Sequence, residues 1–183
     1  MIVDIYNTNR KYNIIYADPP WSFKTYSRKG IQKKSAQAHY SCMSIEDICN
    51  LPIKDLSAKD SILFMWVTFH FLEKGLEVIG KWGFDYKTIG FNWIKINKKS
   101  DSLFWGLGFW TRSNSEICLI ATKGKPKRIS KSVHSVIISK IEEHSKKPDV
   151  VRDKIIELCG ELPCIELFAR QKVDGWDCWG NEV

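Results

Sequence analysis

Short apolar runs separated by polar, turn-rich stretches dominate this chain, and most of them have the length of strands rather than helices. Tyr12-Asn-Ile-Ile-Tyr-Ala17 is mostly apolar and stops abruptly at Asp18-Pro19-Pro20. Proline lacks the N–H that continues a ladder, so the run reads as a buried strand with a hard stop. Ser61-Ile-Leu-Phe-Met-Trp-Val67 reads as a second buried strand, and residues 86–96, 116–122 and 164–169 as three more. Between Phe69 and Trp82, the residues Phe71, Leu72, Leu76, Val78 and Ile79 recur at helical spacing, with Gly83 as the stop. A second helix is predicted over residues 149–159, with Pro148 ahead of it, Val151 and Ile155 among its apolar positions, and Gly160 closing it. Strands alternating with helices predict an α/β three-layer sandwich. Residues 22–44 and 97–108 are long insertions within one domain spanning 1–183, and long loops in compact domains are commonly functional.

The longest apolar run, Ile62–Val67, is far too short to cross a bilayer, and the first ten residues hold no apolar leader core. A soluble, cytoplasmic protein without membrane contact is expected. Six cysteines form no C-x-x-C and four histidines no H-x₃₋₅-H pair, so reduced thiols and no metal site are expected. Lysines and arginines outnumber carboxylates 28 to 21, a net charge of +7 that favours a polyanionic partner. The placement sharpens this. Lys24, Arg28, Lys29, Lys33 and Lys34 lie in an acid-free stretch, and Lys123, Lys125, Lys127, Arg128 and Lys131 form a second block. Both read as exposed loops able to follow a phosphate backbone.

Asp18-Pro19-Pro20-Trp21 follows a core strand and so belongs at the carboxyl edge of the sheet, where open α/β sheets bind ligands. Its residues suit methylation of an aromatic amine, whose lone pair is delocalised into the ring. Acceptors on both N–H groups localise that pair: the Asp18 carboxylate and the Pro19 carbonyl, held by the stiff Pro19-Pro20 link. Trp21 is expected to offer a face on which a base stacks, worth roughly 1–3 kcal/mol.

Tyr16-Ala-Asp-Pro-Pro-Trp21 resembles the signature of the MT-A family of adenine-N6 methyltransferases, which includes the catalytic subunit of the mRNA adenine methyltransferase. The similarity continues in order through Leu63–Val67, Phe109–Glu116, Ala121–Pro126, His144–Pro148, Glu166–Arg170 and Gly175–Glu182. It implies a three-layer Rossmann-like methyltransferase fold with a mixed, mostly parallel sheet, in which the catalytic motif precedes the cofactor motif, a permuted order. It further implies S-adenosyl-L-methionine as cofactor. By that resemblance, Asp18 touches the methionyl amine and the target amine, and Lys147 the cofactor carboxylate. Glu166, Leu167, Phe168 and Arg170 belong to the cofactor segment, Arg170 reaching the ribose or methionyl region. Asn181 and Glu182 serve ribose or adenine, and Asp4-Ile5 adds an adenine contact. Tyr26, Lys29 and Tyr40 form one wall of the target cleft, and Phe109, Trp110, Arg112 and Asn114 the other.

Several other readings fail on particular residues. Gly106-Leu-Gly108 lacks the third glycine of a dinucleotide loop. Enzymes of cytosine N4 or protein amides carry Pro-Pro-Tyr or Pro-Pro-Phe headed by Ser or Asn, whereas here Asp18 and Trp21 frame the prolines. The reading is therefore methylation of adenine N6 in DNA, with the same reaction on RNA and an inactive nucleic-acid-binding paralogue as alternatives. No obligate protein partner is indicated.

Overall fold

The computed structural model describes residues 1–21, 43–143 and 145–183. Among them, seven strands form one sheet: β1 (Tyr12–Ala17), β2 (Ser57–Val67), β3 (Asp85–Ile96), β4 (Ser115–Lys123), β5 (Val136–Lys140), β6 (Cys164–Leu167) and β7 (Asp177–Trp179). Their order is β5-β3-β4-β2-β1-β6-β7. Only β4 runs antiparallel to its neighbours; the other four pairings are parallel. A short 3₁₀ turn at Phe69–Phe71 leads into α3 (Leu72–Lys81), after α1 (Ile45–Cys49) and α2 (Ile53–Leu56); α4 is Val150–Cys159.

Alternation along the strands builds two cores. In β1, Ile15 and Ala17 face α1–α3, while Ile14 and Tyr16 face α4; in β2, Leu63, Met65 and Val67 oppose Ile62, Phe64 and Trp66 in the same way. Both faces of β1, β2 and β6 are thereby covered, the condition under which parallel strands read as continuous apolar runs. The three-layer α/β fold expected from the sequence is what forms.

Four short elements lie outside the sequence expectation: α1, α2, β5 and β7. The strand β5 is a sheet edge that buries only Ile137 well, at 4% exposed, with Val136 and Ile138 largely in solvent, so its run shows no clean alternation. Helix α2 has four residues, too few to express a helical period. Gly83 and Gly160 do end α3 and α4, with φ of +80° and +87°.

The chain passes from β1 to β2 on one side, and later to β6 and β7 on the other, so the strand order reverses at β1. Clefts for ligands open at the carboxyl edge beside such a switch. Asp18, Thr68, Phe168 and Gly180 all follow strands at that edge, and Ser115 begins β4 there. The second basic block, 123–131, is a largely exposed loop as expected; Lys123 ends β4 at the opposite, amino edge, so the block leaves from the side of the sheet away from Asp18. The first block lies almost wholly in residues 22–42, outside the described residues, together with Tyr26, Lys29 and Tyr40. No helix among the described residues is long and apolar enough to cross a membrane.

Candidate active site

Asp18 emerges from β1 into a cleft on the α4 side of the sheet, lined by Tyr16, Lys147, Arg152, Glu166, Phe168, Arg170 and Glu182 among others. Its carboxylate accepts a hydrogen bond from Lys147 Nζ at 2.7 Å. Lys147 also lies 3.4 Å from Glu116 of β4, and Glu116 in turn accepts from Lys95 of β3. The result is an alternating chain, Lys95–Glu116–Lys147–Asp18, running along the carboxyl edge from β3 through β4 and the loop before α4 to the end of β1. Its two cations and two carboxylates sum to zero, which lets a largely buried set of charges persist.

Each member is tuned by its neighbours. Burial pushes the Asp18 carboxyl above its ordinary value, a shift that Lys147 opposes but does not cancel. Burial also pushes Glu116 up, but Lys147 and Lys95 together hold it down at about 2. For Lys147 burial works against the charge, yet Asp18 and Glu116 raise it above the usual lysine value. Aromatic rings floor the chain: Lys147 Nζ lies 5.7 Å from the Trp66 ring, Lys95 Nζ 4.9 Å from Trp93, and Trp66 Nε1 donates to Tyr16 Oη at 2.7 Å.

A second buried pair forms the far wall. Arg152 of α4 forks onto Glu166 of β6, Nε to Oε2 at 2.7 Å and Nη2 to Oε1 at 2.9 Å. Burial nonetheless keeps the Glu166 carboxyl above its ordinary value despite Arg152. Glu166 was expected on the cofactor; the structure places it in the cleft, with both oxygens engaged by Arg152.

The backbone is bent where β6 and β7 end. Phe168 holds φ of +60° and Ser145, just before Lys147, φ of +59°, two left-handed non-glycine residues flanking Asp18. Gly180 follows β7 so closely on this bend that a Cβ there would sit 2.3 Å from the Ala169 carbonyl oxygen. Only glycine permits that approach, and it brings Arg170 and Glu182 within 3.6 Å of each other.

Of the expected cofactor residues, Asp18, Lys147, Glu166, Phe168, Arg170 and Glu182 therefore converge on one cleft, while Asn181, next to Glu182 in the chain, is exposed. Ile5 and Leu167 turn their side chains into the core, at 3% and 0% exposed, so only their main chains can face a ligand. Asp4 is exposed and holds a turn, accepting from Tyr6 N and Asn7 Nδ2. The stacking face expected of Trp21 is a correction: the ring is 5% exposed, lies against Phe71 at 5.8 Å and donates to the Trp66 carbonyl. Trp21 anchors the motif to the core rather than offering an open platform. Pro19's carbonyl accepts from Trp21 N at 2.8 Å in a three-residue turn, which leaves one lone pair for another donor. Trp110 and Arg112 are exposed on the connection between β3 and β4, and Asn114 is half-buried, its carbonyl accepting from Lys95 N. Glu116, Lys95 and Arg152 escaped the sequence reading. The available signal was a lone charge inside an apolar strand, as in Trp93-Ile-Lys95-Ile and Glu116-Ile-Cys-Leu.

The MT-A70 family profile matches residues 12–182, nearly the whole chain. The protein belongs to the MT-A70 family. It is 33% identical over 190 residues to the type II methyltransferase M.MunI of a Mycoplasma species, covering 95% of this chain and 78% of that one. It is 28% identical over 177 residues to the human N(6)-adenosine-methyltransferase catalytic subunit METTL3, and 28% to an Arabidopsis thaliana MT-A70-like N(6)-adenosine-methyltransferase. Those two matches cover 94% of this chain but only 28% of the human protein's length and 24% of the plant protein's. The MT-A70 chain is thus a methyltransferase, and its cleft is the place to seek the chemistry.

Proposed function

We propose that this MT-A70 methyltransferase transfers the methyl group of S-adenosylmethionine to the N6 amine of adenine in DNA. The observation that carries the reading is the Asp18 carboxylate at the end of β1, in a cleft of alternating charge beside the strand-order reversal. The cleft's donor set fits the cofactor: carboxylates at Asp18 and Glu182 suit an ammonium and ribose hydroxyls, and Lys147 and Arg170 suit a carboxylate. When bound, S-adenosylmethionine supplies a methyl group on a positively charged sulfur. The protein's part is orientation and proton handling. Asp18 and the free lone pair of the Pro19 carbonyl would accept from the two N6–H groups and turn the nitrogen lone pair toward the methyl donor. As the N6–C bond forms, the amine must shed one proton. A carboxyl raised by burial is a better acceptor for it than an ordinary aspartate. Trp110, Arg112 and Asn114 would wall the target side.

DNA is the polymer proposed because identity and mutual coverage are greater with the Mycoplasma type II methyltransferase than with the N(6)-adenosine-methyltransferases. RNA is the second reading, supported by the latter matches. The test is nucleoside mass spectrometry after incubation with matched single-stranded DNA, duplex DNA and RNA. N6-methyladenine should appear in DNA with the wild type and vanish with Asp18→Ala. Product in RNA alone would move the assignment to RNA, and methylcytosine or no product on any polymer would overturn it.

A further inference from the structure

The connection between β3 and β4 carries Leu103, Trp105, Leu107, Phe109 and Trp110, exposed at 53%, 74%, 77%, 93% and 91%. Soluble proteins rarely hold so many large apolar side chains together in water without a partner. The backbone makes the display deliberate. A Cβ at Gly106 would lie 1.7 Å from the Ser113 carbonyl oxygen, and one at Gly108 1.9 Å from that of Thr111. The two arms therefore close face to face through the glycines, with Ser113 N donating to the Leu107 carbonyl at 3.4 Å. Phe109 and Trp110 occupy the two-residue apex, their rings 5.4 Å apart and nearly perpendicular at 86°. In such an edge-to-face pair one ring's edge meets at most one face of the other, and at 93% and 91% exposed each ring keeps a stacking face open.

Position and charge indicate the occupant. The hairpin grows from the carboxyl edge, since β3 ends and β4 begins there, and β4 lies two strands, about 10 Å, from β1. Its root is tied to the catalytic charges: Phe104 N donates to the Lys95 carbonyl, and Lys95 opens the chain that ends on Asp18. The segment's free charge is cationic. Arg112 is exposed next to the apex, Lys98 and Lys99 are exposed in the turn closed by Asn97 and Ser102 at the start of the connection, and the segment's one carboxylate, Asp101, is engaged there by Lys140 at 3.0 Å. Aromatic faces interleaved with cations are what an unpaired nucleic-acid strand requires, rings for bases and cations for phosphates.

We propose that the glycine-closed hairpin of residues 105–113 is a nucleobase-stacking knob, on which Phe109 and Trp110 hold unpaired bases of the target strand beside the cleft. The inference takes its ligand class from the methyltransferase reading and adds the unpaired state of the strand next to the target. Base-modifying enzymes must hold the strand out of its stack, and an exposed aromatic apex provides that at the rim of the site.

Because the side chains concerned are fully in solvent, their removal leaves the core intact. The test is fluorescence anisotropy, without cofactor, on a 16-nucleotide single strand and on an abasic strand of equal length, which keeps the phosphates and lacks the bases. The wild type should prefer the base-bearing strand by about tenfold or more. Phe109→Ala and Trp110→Ala should each abolish most of that preference and leave abasic binding unchanged, whereas Arg112→Glu should weaken both. Retention of the preference in both alanine variants, or no preference in the wild type, overturns the proposal. So does a dimer on sedimentation that the alanine variants disperse, which would make the knob an interface between copies. Failure of the methylation reading looks different: no methylated nucleoside on any polymer, with base-dependent binding intact.

Discussion

Glu116 is the best place to test the charge chain, because it lies between two lysines and belongs to no helix cap. Glu116→Gln keeps the shape and removes the charge. With an unfolded carboxyl near 4.5 and a folded one at about 2, the ionised side chain contributes about 2.5 units of 1.36 kcal/mol, or about 3 kcal/mol, at neutral pH. The sign follows from the depression: this stability is fully present above pH 4.5 and is lost as pH falls toward 2, where both states bind the proton. Integrating the linkage, about 2 kcal/mol of the difference between wild type and variant disappears between pH 7 and pH 3. Asp18 is shifted the opposite way, upward by burial, and is present in both proteins; the Glu116 charge adds to that rise, so its removal also eases the Asp18 shift. Urea titrations of the two proteins at pH 7, 5, 4 and 3 measure the gap directly. At pH 7 a thermal melt should show the variant lower by roughly 6–12 °C for a domain of this size. A gap that stays constant from pH 7 to pH 3 would refute the argument, since Glu116 would then hold no special ionised state.

Asp18→Asn should transfer no methyl group yet melt within about 1 kcal/mol of the wild type, because burial raises the Asp18 carboxyl and its charge gives the fold no net support at neutral pH. A loss above about 2 kcal/mol in urea titration would count against that. Gly180→Ala should cost about 1–3 kcal/mol by crowding the Ala169 carbonyl, and should weaken S-adenosylmethionine binding at least about tenfold by calorimetry. Unchanged affinity would remove the bend after β6 and β7 from the cofactor's seat. Arg152→Met should cost about 3 kcal/mol by leaving Glu166 buried without its partner. Since burial already raises Glu166, that cost should grow as pH rises from 5 to 8, and a pH-independent loss would point to packing alone.

How far the sequence could be read depended on whether a residue's surroundings are local. The strands β1, β2, β3, β4 and β6 were legible, as were α3 and α4, because buried parallel strands and a helix stripe leave periodic runs. The strand β5 was not, since its exposed Val136 and Ile138 make an edge look like a core run without a period. At the site, Asp18 was legible because the prolines beside it make a local signal, and Lys147 because of the family resemblance. Glu116 and Lys95 were not, although they are as deeply engaged. Their partnership exists only because β4 is inserted antiparallel between β2 and β3, which brings the start of β4 level with the end of β3 and with Lys147. The same antiparallel insertion carries the basic block 123–131 to the amino edge, a placement its sequence could not show.

That single reversed strand also explains why the proposed stacking knob and the Asp18 carboxylate share an edge. A parallel β4 would have required a crossover from the carboxyl edge back to the amino edge before it began. An antiparallel one lets residues 97–114 stay at the carboxyl edge, free to become a glycine-closed hairpin rather than a covering helix. The segment that a doubly wound fold would spend on a crossover is thus available for contact with the polymer. Shortening it to a tight turn between Ile96 and Ser115 should then leave the seven-stranded sheet and S-adenosylmethionine binding in place while removing base-dependent strand binding. Loss of the fold in that deletion, judged by its melt, would show that the hairpin serves the sheet instead.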